Sequence, residues 1–260
     1  MAEIPGFWDV GPHEPLDVEA AWKNFVCSIG GSSLDKELEF PRSFENADFY
    51  FPESCIVAEL KEIKTDFANA VLFNQKHNAL LSRLFRNNPE WRPSLLGGDG
   101  SYPEWFLQEY IRLFRPHLQR ILKKANSQIR ETKKHFEVYT NTGVLLLVND
   151  DFISIGPGLI RAMVSDILLH NYSSIDCCVY LTVNRYVELP GSNVPRLLWA
   201  PAYSDRAPDY LANLINALGA KWFRYLETLI GTFSQSDVDS SDGSWLMQTR
   251  AIVIPSPAEC

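Results

Sequence analysis

The chain has 260 residues, 46% of them apolar and 22% charged, which is ordinary for a globular protein and enough for a sizeable core. No apolar run approaches the roughly 18 residues a membrane helix needs, and the opening Met-Ala-Glu-Ile-Pro-Gly lacks the basic-then-apolar layout of a secretory signal; no membrane role is expected. The net charge of −8 speaks against nucleic acid as a partner of the chain as a whole, but the charge is unevenly spread: Arg112 to Lys134 holds eight Lys or Arg and one acidic residue, +7, leaving −15 elsewhere. Local field rather than total charge attracts a polyanion, so this stripe suits phosphate binding; a solvated basic helix has the same composition. The five cysteines are odd in number, lack metal-type spacing, and include the adjacent pair Cys177-Cys178, whose side chains point to opposite faces of a strand. A reducing cytoplasm is the simplest setting for them.

Residues 1–15, with Pro5, Gly6, Gly11, Pro12 and Pro15, read as an irregular lead-in. A helix is expected after Pro15, with Asp17 at its start and Val18, Trp22, Phe25, Val26 and Ile29 as its apolar face, ending at Gly30-Gly31. Glu19 falls on the edge of that face. Residues 34–45 are mixed, with Leu38 to Phe40 a candidate first strand. Next come two short alternating runs, Asn46-Ala47-Asp48-Phe49-Tyr50-Phe51 and Cys55-Ile56-Val57-Ala58-Glu59-Leu60-Lys61, joined by a tight turn. A loop from Pro52 to Cys55 pairs Phe51 with Ile56 and sets Asp48 opposite Glu59. Opposed residues share a face, and Glu59 and Lys61 share one through the period of two. Two carboxylates and an ammonium then project together.

A helix is expected from about Thr65-Asp66, with Phe67, Val71, Asn74, Asn78, Leu81 and Phe85 as one stripe and Leu80 and Leu84 widening it. Residues 89–102 read as a loop. A further helix opens at Pro103, is expected to kink or break at Pro116, and continues to about Lys134 with Leu118, Ile121, Leu122, Ala125 and Ile129 inward. Gln128 lies beside that stripe, and Arg120, Lys123, Lys124 and Arg130 spread over the outer surface. Gly143 to Asn149 reads as a strand buried on both faces, followed by a helix over Leu159 to His170 and a strand over Ile175 to Val183, a crossover unit. Beyond it Arg196 to Ala200 is a candidate edge strand, Asp209 to Ile230 a helix interrupted at Gly219, residues 234–244 a polar acidic loop, and Ala251 to Ile254 a last strand.

The order of elements and the pattern Asp48…Glu59-Leu60-Lys61 resemble the PD-(D/E)xK nuclease superfamily, the fold of many restriction and repair endonucleases. The wording around Asp48 and Glu59, together with Lys124 to Ile129 and Val148-Asn149-Asp150, is similar to an uncharacterised bacterial branch; the resemblance covers roughly residues 15–185. Ala47 stands where the family name has proline. Residues from about 190 to 260, which the resemblance does not cover, are expected as a C-terminal extension, whereas over the rest it implies an α/β fold with a central mixed sheet flanked by helices and a helical insertion at about 89–137. It implies a divalent-metal-dependent nuclease, with DNA the expected substrate, and many such nucleases work as homodimers. Asp48 and Glu59 would hold Mg²⁺ or Mn²⁺ with the backbone carbonyl of Leu60, since oxygen ligands suit hard cations. Lys61 would position the attacking water or help take its proton. Glu19, as the first-helix carboxylate, and Gln128, as a later-helix amide, are carried over from the family more loosely. Arg120, Lys123, Lys124 and Arg130 would hold nucleic acid.

Blander readings use the same residues. Asp48, Glu59 and Lys61 also make a cross-strand salt bridge on a solvated sheet, and the fold can persist as an inactive module that binds nucleic acid or a protein partner. His77 and His117 are expected to be ordinary helix histidines, and Asn149-Asp150-Asp151 a polar strand end. Gly156-Pro157-Gly158 lacks the rest of a phosphate loop.

Overall fold

The computed structural model describes residues 5–37, 45–93, 96, 101–239 and 243–254. In chain order they form β1 (Gly6–Asp9), α1 (Val18–Ser28), β2 (Ser32–Ser33), α2 (Leu34–Glu37), β3 (Phe49–Phe51), β4 (Ile56–Ile63), α3 (Val71–Asn87), α4 (Glu104–His135), β5 (Thr142–Asn149), α5 (Pro157–His170), β6 (Cys177–Thr182), β7 (Tyr186–Glu188), β8 (Pro195–Tyr203), α6 (Leu211–Ile230), β9 (Ser236–Val238), α7 (Ser244–Gln248) and β10 (Arg250–Ile252). The strands make one mixed sheet in the order β10-β7-β8-β6-β5-β4-β3-β2, with β1 and β9 attached beside β8. An α/β fold with a central mixed sheet between helices is therefore observed. The candidate strand Leu38–Phe40 lies outside the described residues.

The middle of the sheet is parallel. β5 lies between β4 and β6, parallel to both, and every residue from Thr142 to Asn149 is buried. An uninterrupted apolar strand needs apolar cover on both faces, and it has it. On one face pack α1 and α6, where Trp22 stacks on Trp222 at 4.1 Å amid Phe25, Phe49, Leu60 and Leu146. On the other pack α4 and α5, with Leu118, Leu122, Ala125, Ile129 and Ile167 against Val57, Leu145 and Leu147. Residues of β4 alternate between these layers, so Glu59 and Lys61, in step with Val57 and Ile63, belong to the α4 face.

Several expectations are corrected. The lead-in contains β1, whose partner β8 lies about three quarters of the chain away. β8 is no edge strand: it pairs with β1, β6 and β7, and a buried Arg196 on it is ion-paired with Asp9 and Asp237. The residues expected as a C-terminal extension thus complete the sheet and cover one face. α6 runs without interruption; a Cβ on Gly219 would stand 2.7 Å from the Trp199 ring, so the glycine admits the indole against the helix. Likewise α4 runs through Pro116 as one 32-residue helix, because Phe114 and Leu118 on either side are fully buried and pin both halves to the core. Proline forfeits its own ladder bond there, and packing outweighs that cost. The segment read as an insertion is the crossover between parallel strands β4 and β5: its first part packs on α3 through Leu80, Leu84 and Phe106, and its second part lies on the sheet. In α3 the buried residues are Phe73, Leu80 and Leu84, while Val71 and Phe85 are exposed. A separate 3₁₀ turn, Phe67–Asn69, capped by Asp66, precedes α3 and rotates the stripe away from the one extrapolated from Phe67.

Candidate active site

The β3–β4 hairpin has the register expected of it: Phe51 faces Ile56, Tyr50 faces Val57 and Phe49 faces Ala58. The regular ladder stops at Phe49. One step further, Asp48 replaces the ladder bond with its side chain, Oδ2 accepting from the Leu60 N–H at 2.8 Å. Since the N–H and C=O of one strand residue point the same way, the Leu60 carbonyl faces the same edge as its N–H, toward Asp48. Helix α4 fixes this corner from above. Thr132 Oγ1 accepts from the Ala47 N–H at 2.7 Å, and Gln128 Nε2 donates to the Asn46 carbonyl at 3.0 Å.

Glu59 is fully buried, on the strand between Asp48 and the core. Its Oε1 accepts from the Lys61 ammonium, whose side chain is 23% exposed and so lies on the solvent side of the pair. Its Oε2 is buried without a hydrogen-bond partner. Burial raises the Glu59 carboxyl to about 8, with the Asp48 charge pushing the same way and Lys61 opposing. Burial also raises Asp48, against the Leu60 N–H and Lys61. Two carboxylates forced together out of water either keep a proton between them or take up a cation.

A hard divalent cation fits this chemistry. The available donors are oxygens: the Asp48 and Glu59 carboxylates, the outward-facing Leu60 carbonyl and, bonded to the lead-in of the same corner, the Gln128 amide, whose Oε1 is also buried without a partner. Among the described residues no group of three or more His, Cys, Asp and Glu converges to hold a metal unaided. Two carboxylates with carbonyl and solvent oxygens are what Mg²⁺ commonly takes.

The other expected residues are divided. Glu19 does not join the pair: its side chain is 56% exposed on α1 and bonds to Lys23 at 2.5 Å. The carboxylate that the sequence did not single out is Asp35, on α2, which acts on Asp48 through its charge and on Lys23 at 3.6 Å. Nothing in its weakly patterned surroundings marks it; it is delivered by the bond from the Leu34 N–H to the Asp48 carbonyl. On α4, at about 100° per residue, Lys124 lies about 40° and Arg120 about 80° around the axis from Gln128, whereas Lys123 and Arg130 are about 140° and 160° away. All four are exposed, but only Arg120 and Lys124 share the flank that meets Asp48. Asn149 closes β5 as a turn, bonding both ways with Phe152 and donating to the Tyr180 hydroxyl, and Asp151 is paired with Arg185. Cys27, Cys55 and Cys178 are free thiols.

No family model matches this chain, and no curated protein or solved structure matches it either.

Proposed function

We propose that the protein is a divalent-metal-dependent phosphodiesterase acting on nucleic acid, with DNA the expected substrate, and that Asp48, Glu59 and Lys61 form its centre. The observation that carries this reading is the buried Asp48–Glu59 pair with an unpartnered carboxylate oxygen on Glu59 and a solvent-side ammonium from Lys61. A structural salt bridge has no use for the second carboxylate, since burying like charges together is costly.

Phosphodiester hydrolysis puts negative charge on the phosphoryl oxygens and on the attacking and leaving oxygens. A bound Mg²⁺ or Mn²⁺ would neutralise that charge and polarise the phosphate. Asp48 and Glu59, with the Leu60 carbonyl, would hold the cation. Lys61 would orient the attacking water and stabilise charge on the phosphate from the open side. Gln128 and Thr132 set the position of residues 46–47 and thereby aim Asp48. The test is plasmid nicking by wild type, Glu59→Ala and Lys61→Ala, each with Mg²⁺ and with EDTA. The reading expects nicking by wild type in Mg²⁺ alone; equal metal-dependent nicking by all three proteins would end it.

A second reading has one observation in its favour, the complete burial of Glu59. On it, the chain keeps the fold as a binding module without turnover. It expects salt-sensitive DNA binding and no nicking under any metal.

A further inference from the structure

The flank of α4 that meets the candidate site carries charge beyond the residues discussed so far. His117 lies about 20° around the helix from Gln128 and about 16 Å along it, at 1.5 Å per residue. Its ring stacks on Phe67 at 4.6 Å and 14°, which fixes the imidazole against the turn leaving β4. The next exposed residue along the flank is Arg120. From the other side comes α3, docked by Phe73 on Phe114 at 4.7 Å and running antiparallel to α4 with His77 beside Tyr110 at 5.5 Å, so its exposed Lys76 lies on the opposite side of His117 from Arg120. Both cations act on the imidazole: after burial, the charges of Arg120 and Lys76 hold His117 below its usual range.

The carboxylate just before Phe67, Asp66, is buried and accepts from the Ala68 N–H and from the Ser154 N–H and hydroxyl. From Phe67 to Pro89 the chain has no Asp or Glu at all. Of the basic residues on α4, Arg112, Arg115, Arg130 and Lys133 are within ion-pair distance of Glu109, Asp166, Glu131 and Asp176. Arg120, Lys124 and Lys76 make no ion pair among the described residues. Uncompensated cations on either side of a ring held flat where two helices meet provide charge and N–H donors for an anion.

We propose that Lys76, His117 and Arg120 form a phosphate-binding notch, and that Lys124 links it along α4 to the Asp48–Glu59 corner as a track for a nucleic-acid backbone. The span of about 16 Å corresponds to some five nucleotides of duplex rise at about 3.4 Å each. This inference rests on the nucleic-acid reading for its choice of ligand, while it concerns binding and not turnover. It names α3 as part of the nucleic-acid face and removes Lys123 and Arg130 from it.

The test measures fluorescence anisotropy of a labelled 20-base-pair DNA in EDTA over a series of salt concentrations. The proteins are wild type, Lys76→Ala/Arg120→Ala, Lys123→Ala/Arg130→Ala and Glu59→Gln. All four replaced cations are solvent-exposed, and thermal melting confirms that each variant is folded. Loss of two phosphate contacts predicts at least tenfold weaker binding at low salt and a salt slope shallower by about 2 for Lys76→Ala/Arg120→Ala. Lys123→Ala/Arg130→Ala is expected to stay within about threefold of wild type. Equal losses in the two double variants, or none in the first, would overturn the notch. If the first variant loses binding while Glu59→Gln nicks DNA like wild type, the notch stands and the catalytic reading falls. If wild type nicks DNA through Glu59 but Lys76 and Arg120 are dispensable for binding, the reverse holds. Wild-type protein that binds anionic lipid vesicles and no DNA overturns both.

Discussion

Replacing Glu59 by glutamine should make the metal-free protein more stable, and by an amount that grows with pH. The carboxyl titrates near 4.5 when unfolded and at about 8 in place, because burial and Asp48 both oppose its charge. Its folded value is raised, so the stability tied to its neutral form is fully present below about pH 4.5 and is lost as pH rises through about 8. At about 1.4 kcal/mol per pH unit, the carboxylate costs the wild type roughly 3 kcal/mol at pH 7 and between about 4 and 5 kcal/mol at pH 9. Glutamine keeps the shape and never ionises. Urea denaturation in EDTA at pH 4.5, 7 and 9 should therefore show near-equal stability at the lowest pH and a widening advantage for Glu59→Gln above it. Adding Mg²⁺ at pH 9 should restore the wild type and leave the variant unmoved, since a ligand stabilises only the state that binds it. A variant less stable than wild type at pH 9, or a difference independent of pH, would refute the buried carboxylate pair.

Other perturbations test the framework around the site. Thr132→Val leaves the buried Ala47 N–H without an acceptor, which should cost about 1–3 kcal/mol in urea denaturation and weaken Mn²⁺ binding by displacing Asp48. Trp22→Ala removes a fully buried ring stacked on Trp222 and should cost about 3–5 kcal/mol by the same measure. Gly143→Ala would set a Cβ 1.8 Å from the Ser174 carbonyl oxygen at the mouth of β5, so failure to accumulate as folded protein is expected on size exclusion. Glu19→Ala, which removes only an exposed partner of Lys23, should leave nicking in Mg²⁺ within about twofold of wild type.

Local pattern carried the hairpin, and with it most of the site. Period-two alternation and a short loop are enough to oppose Asp48 and Glu59, because register in a hairpin is set by the turn. The apolar run of β5 likewise announced a buried parallel strand. What escaped was non-local or depended on phase. Nothing in Gly6–Asp9 signals a partner at Arg196–Trp199, since strand pairing across the chain leaves no mark in either segment alone. The three residues of the 3₁₀ turn before α3 were enough to shift its buried stripe, which keeps Leu80 and Leu84 but takes Phe73 in place of Val71 and Phe85. Pro116 and Gly219 look like breaks by propensity, yet each helix continues past the residue, with core contacts on both sides. Asp35 was invisible because α2 has no periodicity to place it, and the basic stripe looked uniform until the Gln128–Asn46 bond showed which flank of α4 meets the site.

Whether Asp48 and Glu59 together bind a divalent cation is read out by calorimetric titration of Mn²⁺ into metal-free wild type, Asp48→Asn and Glu59→Gln. Wild type should bind one ion per chain, more tightly at pH 8.5 than at pH 6.5 because a proton on Glu59 competes for the site, and neither variant should bind comparably. Binding of the same stoichiometry and affinity by all three proteins would contradict a site shared by the two carboxylates.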